Sequence, residues 1–286
     1  MVISDKSMKG KICMVTGASS GIGEVTARAL AQGGATTIIV GRNPEKSAAT
    51  VNRIKEQTDN HEVEFMLADL SSQKDIRQLA RQFKSRHHRL DVLVNNAGAW
   101  ITRRQQSVDG IEMTFALNHL NYFLLTNLLL DILKVSAPAR IINVSSVGHK
   151  RVRINFDDLQ AKERYNGFQV YRQSKLANVL FTYELARRLE GTGITVNAVN
   201  PGFAATNFGF NNGGVMRLFM PVCKLVVLSA EQGAQTSIYL ATSAEVEGVT
   251  GKYFEKQMAI PSSEDSYNTV AANRLWQVST ELTGLA

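Results

Sequence analysis

The sequence predicts an α/β architecture: one doubly wound domain over residues 1–286, with a parallel sheet of about seven strands and helices on both faces. Three observations lead there. Short apolar, β-branched runs alternate with longer amphipathic stretches, the pattern produced by parallel strands joined through helical crossovers. The first of these runs passes directly into a glycine-rich turn and then a helical pattern. Later runs end in small polar turns, as strands do where such a sheet binds ligands at its carboxyl edge.

Ile12 to Val15 is the first strand and Glu24 to Ala31 the first helix. Between them, Thr16-Gly17-Ala18-Ser19-Ser20-Gly21-Ile22-Gly23 is the opening turn of a Rossmann-type unit. Gly17, Gly21 and Gly23 allow a tight reversal, close backbone approach to a pyrophosphate and close packing of helix on strand. Ser19, Ser20 and Ile22 complete the candidate cradle, whose free amides at the helix start attract an anion. The spacing is G-x-x-x-G-x-G rather than G-x-G-x-x-G, and an ordinary strand-to-helix loop can look the same. Support has to come from elsewhere in the chain.

Thr36 to Val40 is the second strand, leaving through Gly41-Arg42-Asn43-Pro44. An acidic residue at that exit binds a ribose 2′-hydroxyl. Arg42 stands there instead, which favours a 2′-phosphate and so NADP(H) over NAD(H), unless Arg42 is simply an exposed arginine in a polar turn. Pro44 to Thr58 is helical and Val63 to Leu67 is the third strand, with Asp69 and Leu70 as candidates for the adenine side. The alternative is that Asp69 only begins the turn before the helix Ser72 to Arg86. Leu90 to Val94, the fourth strand, runs into Asn95-Asn96-Ala97-Gly98, where Asn95, Ala97 and Gly98 are the next cofactor candidates.

Gly110 to Leu133 reads as one long apolar helix carrying Asn118, which alone would mark only a wet face or a cap. Ala139 to Val144 is the fifth strand, exiting at Ser145-Ser146. The helix Phe168 to Leu189 then places Tyr171 and Lys175 four residues apart on one face. A tyrosine with its ordinary pKa of about 10 exchanges protons poorly near neutrality, and an adjacent ammonium lowers such a value by roughly 1 to 3 units. Chance puts such pairs on many amphipathic helices as well. Thr195 to Val199 is the sixth strand, leaving at Asn200-Pro201-Gly202; Ala230 to Ala241 is helical and Gly251 to Phe254 a short seventh strand.

Residues 203–229 are apolar around Gly213-Gly214, with Phe208, Phe210, Met216, Phe219 and Met220 among them. They suit a hinged lid over a hydrophobic substrate, an amphipathic helix packed on the core or on another subunit, or, with Arg217 and Lys224, a membrane-surface contact. Ser262 to Leu285 is expected to be helical, with Tyr267, Leu275 and Trp276 on an apolar face that borders the substrate pocket.

Composition excludes several classes. The net charge of +7 is diffuse, densest at His149 to Arg153, with no basic stripe or recognition motif, so no nucleic-acid partner is expected. Cys13 and Cys223 are far apart and the five histidines lack ligand spacing, so neither a metal nor a disulfide framework is expected. Met1 to Lys11 has no apolar signal core and no stretch approaches the ~18 apolar residues of a membrane span, so a soluble, cytoplasmic chain is expected.

Thr16-Gly17-x-x-x-Gly21-x-Gly23, Asn95-Asn96-Ala97-Gly98, Asn118, Ser145, Tyr171-x-x-x-Lys175 and Pro201-Gly202, in this order, resemble the short-chain dehydrogenase/reductase family from about Lys9 to Phe254. The resemblance implies that residues 9–150 are mainly the cofactor-binding half. It makes Tyr171 the general acid for carbonyl reduction and base for alcohol oxidation, and Ser145 the holder of the substrate oxygen. Lys175 would bind the nicotinamide ribose and lower the Tyr171 pKa, Asn118 would anchor a proton relay, and Pro201, Gly202 and Thr206 would position the nicotinamide.

Arg153 to Gln160, Ser174-Lys175-Leu176-Ala177-Asn178, Glu184 to Leu189, Glu231 to Thr236 and Leu275-Trp276 resemble the retinol dehydrogenase-like branch. That resemblance implies a lipophilic aldehyde or ketone and its alcohol as substrates, with homodimers or homotetramers formed through the Gly110 to Leu133 and Phe168 to Leu189 helices. Two other readings remain: a sugar-nucleotide epimerase or dehydratase, which shares Tyr-x-x-x-Lys, and a dinucleotide-sensing regulator without turnover.

Overall fold

The computed structural model describes residues 7–202 and 229–285; all but the last residue of the candidate lid 203–229, Thr206 included, lies outside them. Strands β1 (Ile12–Thr16), β2 (Thr36–Gly41), β3 (Val63–Leu67), β4 (Val92–Asn95), β5 (Ala139–Val144), β6 (Ile194–Asn200), β7 (Lys252–Glu255) and β8 (Met258–Ile260) form one sheet in the order β3-β2-β1-β4-β5-β6-β7-β8. All neighbours are parallel except β7 and β8.

Strand order reverses between β1 and β4, which pair directly through Cys13–Val92 and Val15–Val94. That switch point brings the turn after β1 beside the turn after β4, and a crevice opens at their carboxyl ends. The central strands carry buried apolar residues on both faces because helices cover both sides of the sheet. Met14, Ile38, Val40 and Leu93 point to one core, with Phe83, Phe123 and Phe181; Cys13, Val15, Ile39 and Val94 point to the other, with Leu30 and Leu240.

The covering helices are α1 (Gly21–Gln32), α2 (Pro44–Thr58), α3 (Gln73–Arg86), α7 (Gly167–Arg188) and α8 (Ala230–Thr242). α2 starts on Asn43, whose side chain accepts from Lys46 N–H, and has proline in its first turn; Ser229 and Gln232 form a reciprocal cap on α8.

The structure differs from expectation in three elements. The segment Gly110 to Leu133 is not one helix. Gly110 lies in a turn at φ +74°, and the helix opens at α4 (Met113–Phe115), where the buried Glu112 carboxylate accepts from Thr114 and Phe115 N–H. A π-helical stretch (Ala116–Leu120), α5 (Asn121–Leu128) and α6 (Leu130–Val135) follow. The sheet gains an eighth strand, β8, through a hairpin at Lys256 (φ 51°) and Gln257 (φ 64°); neither is a usual turn residue, and β8 is only three residues long. The carboxyl-terminal segment is a 3-10 turn, Glu264–Tyr267, then α9 (Thr269–Thr283) capped by Asn268. Tyr267 is half-exposed, while Leu275 is buried and Trp276 packs on Phe123 and Phe181. α9 therefore lies on α7 and the π stretch.

Residues Asn121 to Thr126 of α5 are all buried within the chain, as are most residues of α7, which accounts for the apolar pattern of both helices without a second subunit. Among the described residues no helix is long and apolar enough to cross a membrane.

Candidate active site

The glycine turn is held from behind by a single hydroxyl. Thr16, the last residue of β1, accepts from Asn96 N–H (2.9 Å) and Ala97 N–H (3.1 Å), while Asn96 Nδ2 donates to Thr16 O (2.8 Å). These bonds tie the two carboxyl-edge turns together at about 1 kcal/mol each. The backbone is then close enough that side chains are excluded. A Cβ on Gly23 would stand 2.6 Å from both Gly17 O and Asn96 Nδ2; Gly17 has φ +65° and its Cβ would meet Ala97 Cα at 2.8 Å; Gly21 has φ +60°. Ser20 is the extended N-cap of α1 and makes no side-chain cap bond, which leaves the first-turn amides facing the crevice. Ser19 O accepts from Thr50, and Ile22 packs on Val25, Ala234 and Ile238. A cradle whose glycines admit no Cβ, at an uncapped helix start, fits a dinucleotide pyrophosphate.

At the exits of β2 and β3, Arg42 and Asp69 face one another at 3.9 Å, with the guanidinium 78% exposed. Asp69 Oδ1 accepts from Ser71 N–H and Oγ, so it also serves the turn. The Leu70 side chain is buried in the core with Ile76 and Leu79, leaving only its main chain for the crevice.

Asn95 points away from the crevice. Its Nδ2 donates to Thr126 Oγ1 and Asn143 Oδ1 (2.9 Å each), and Asn143 continues to Thr182 on α7. It is a buried brace between β4, β5 and the helices, and its side chain is out of reach of a ligand. Ala97 is buried against Gly17, and Gly98 is exposed beside Asn118 and Lys175. Asn118, fully buried in the π stretch, accepts from Ala99 N–H (2.8 Å) and donates to Ala99 O and Ser174 Oγ (2.9 Å each). It thereby pins the segment after Gly98 over α7, where a Cβ on Gly98 would lie 3.5 Å from Lys175 Nζ. A π insertion is a common means of aiming such a side chain.

The serine assignment changes. Ser145 Oγ donates to Lys175 O at 2.8 Å and is buried, so it anchors α7 to β5. Ser146 is the serine whose hydroxyl hydrogen-bonds the Tyr171 side chain. Strand alternation explains the swap: Asn143 and Ser145 share the face packed against α7, and Ser146 emerges at the crevice. That period-two signal was available in the sequence.

Lys175 Nζ donates to Val144 O at 3.1 Å and lies 5.7 Å from the Tyr171 ring centroid and 6.0 Å from that of Tyr122. Burial dominates the electrostatics of both groups. It pushes the Tyr171 phenol up to about 12, only partly offset by Ser146, and pushes Lys175 down to about 7. Lys175 does not contribute the expected lowering of Tyr171: its ammonium lies over the ring and donates to the Val144 carbonyl. Asn200 Oδ1 accepts from Gly202 N–H (3.1 Å) and Val147 N–H (3.2 Å), bringing the Pro201-Gly202 turn against the Ser146 turn.

The rim beside Tyr171 is apolar. Phe168, one helical turn before it, is 54% exposed and meets Trp100 edge-on at 5.9 Å, and Val147 is exposed as well. Thr16, Asn96, Ser146 and Asn200 stand within the quoted motifs and strand exits, but sequence reading gave them no role of their own, because each acts through a partner at least 53 positions away or through Tyr171.

The profile of the family described as short chain dehydrogenase matches residues 11–212. Human retinol dehydrogenase 13 is 46% identical over 291 residues, covering 99% of this chain and 87% of the relative. An uncharacterised protein from Mycobacterium paratuberculosis superposes with a TM-score of 0.81 at 32% identity over 99% of this chain and 97% of that one. The Pseudomonas aeruginosa RhlG/NADP active-site complex gives 0.70 at 28% identity, covering 92% and 98%. With a family model matched over most of its length and a retinol dehydrogenase relative 46% identical over nearly all of it, the chain belongs to the short-chain dehydrogenase family as an NAD(P)-dependent alcohol dehydrogenase or carbonyl reductase.

Proposed function

We propose that the protein uses NADP(H) to interconvert a lipophilic aldehyde or ketone, retinoid-like or another apolar carbonyl, and its alcohol. The observation that carries this reading is the placement of Tyr171 and Ser146 together under an apolar rim of Phe168, Trp100 and Val147. The retinol dehydrogenase relatives support the substrate class, and the NADP-bound neighbour supports the cofactor.

A bound nicotinamide dinucleotide supplies hydride for reduction and accepts it in oxidation. Gly17, Ser19, Ser20, Gly21, Ile22 and Gly23 would hold its pyrophosphate, Arg42 its 2′-phosphate, and Asp69, the Leu70 main chain, Ala97 and Gly98 its adenosine side and the crevice floor. Lys175, Pro201, Gly202 and Thr206 would face the nicotinamide riboside.

The Ser146 hydroxyl orients the substrate oxygen. Tyr171, held neutral by burial, donates its proton to that oxygen as negative charge builds there, and takes it back in the reverse direction. Asn118 keeps the segment after Gly98 closed over Lys175. Residues 203–229 would close over the apolar end of the substrate and exclude water.

The test follows nicotinamide absorbance with NADPH and NADH against retinal, a long-chain aldehyde, an aromatic ketone and a small polar ketone, with Tyr171→Phe in parallel. NADPH-dependent turnover of the apolar carbonyls, falling by about 10² to 10⁴ in the variant while cofactor still binds, is expected. Turnover of a nucleotide sugar instead, or undiminished turnover in Tyr171→Phe, overturns the reading.

A further inference from the structure

Below Lys175, three buried polar side chains from separate elements form a line that this chemistry does not use. His119, next to Asn118 in the π stretch, has Nε2 2.9 Å from Ser279 Oγ of α9, and both residues are fully buried. The other ring nitrogen, Nδ1, and Asn178 Oδ1 are two buried atoms without a hydrogen-bond partner. Asn178 is also the side chain whose hydrogen bonding favours the His119 proton, which couples these two otherwise unpartnered atoms across more than the length of a formed hydrogen bond. Asn178 Nδ2 in turn donates to Val144 O at 3.3 Å, the carbonyl that receives Lys175 Nζ at 3.1 Å and Tyr122 Oη at 3.5 Å.

The protons can be assigned along this line. Because the Asn178 amide donates to Val144, its oxygen turns to His119 and needs a donor there. Nδ1 must carry the ring proton, and Nε2 then accepts from the Ser279 hydroxyl. A singly protonated ring is what burial enforces, since it drives His119 down to about 4. At the far end, three donors compete for a carbonyl oxygen with two lone pairs, so none of them, the ammonium included, holds it alone.

We infer that Asn178 is a positioning residue for Lys175: it shares the Val144 carbonyl with the ammonium, and it is oriented for this by His119 and, through His119, by Ser279 of the carboxyl-terminal helix. The sharing keeps Nζ from being drawn fully onto Val144 and leaves it facing Gly98 and the crevice. The inference rests on the functional reading only in making Lys175 matter for catalysis. Around Nζ the titratable groups are Tyr171 on its own helix and Tyr122 on α5, with His119 behind Asn178; among the described residues no carboxylate contributes to the Lys175 shift.

The test is a pH titration of the full chain labelled with ¹³Cε-lysine, followed by NMR, with the Lys175 signal identified by Lys175→Arg. Asn178→Leu keeps the volume and removes the competing donor. The carbonyl then solvates the ammonium better, and the Lys175 midpoint is expected to rise by about half a unit or more. His119→Phe and Ser279→Ala should move it in the same direction by smaller steps. If Asn178→Leu does not fold, His119→Phe, which preserves the ring, carries the test. An unmoved midpoint in the folded variants overturns the inference, even when wild-type retinal reduction is intact. A moved midpoint in a protein that turns over no carbonyl sustains the inference and overturns the functional reading instead.

Discussion

Ser145 and Ser146 are adjacent in the chain and divided in role. Ser146→Ala is expected to lower kcat by about 10²-fold or more with cofactor affinity within about twofold, because only an interaction with the reacting oxygen is lost. Ser145→Ala removes a buried bond to the main chain of α7 and should cost about 1 kcal/mol in urea unfolding with kcat within a few fold. Steady-state kinetics beside denaturation curves separate the two, and the reverse ordering would return the substrate oxygen to Ser145. Arg42 is a cleaner case. Its pairing with Asp69 at 3.9 Å is loose and its guanidinium 78% exposed, so Arg42→Ser should leave stability unchanged. The ratio of kcat/KM for NADPH over NADH should fall by about tenfold or more, since a planar guanidinium is suited to a phosphate and serine is not.

At the scale of elements, the turn after β1 depends on backbone-to-backbone contact rather than on any side chain. Gly23→Ala would drive a methyl to 2.6 Å from Gly17 O, which cannot yield without opening the cradle. A stability loss of about 1 to 3 kcal/mol together with a dissociation constant for NADPH raised by about tenfold or more is expected, read by calorimetry. Gly191→Ala is the matched control. That residue also needs a left-handed backbone, φ +76°, but its Cβ would meet nothing within 4 Å, so only stability should fall, by about 1 kcal/mol. The start of α4 has a comparable single point of support in Glu112, which caps two amides and accepts from Tyr165 at 3.3 Å, joining the Asn118 segment to the loop before α7.

For the whole molecule, two buried bases contribute to the pH dependence of stability, and buried His149, also held below its ordinary value, adds to it in the same direction. His119 is pushed from 6.5 to about 4 and Lys175 from 10.5 to about 7, so in each case the unfolded chain binds more protons than the folded one. Stability therefore rises with pH, from about 4 to 6.5 through His119 and from about 7 to 10.5 through Lys175. In Lys175→Met the rise in Tm between pH 7 and 9 should flatten while turnover is lost; an unchanged slope would mean that the lysine is better solvated than its position indicates. Much of this architecture is local in origin and so is legible in the sequence: strand and helix periods, the glycines that admit no side chain, and the four-residue step from Tyr171 to Lys175 are properties of neighbouring residues. The rest was decided by partners far apart in the chain. Which of two serines meets Tyr171 depends on which face of β5 lies under α7, and the break after Phe115 depends on what Asn118 has to reach. The bond from His119 to Ser279 spans 160 positions, and no periodicity reports it, because only packing brings a buried ring and a distant hydroxyl to 2.9 Å.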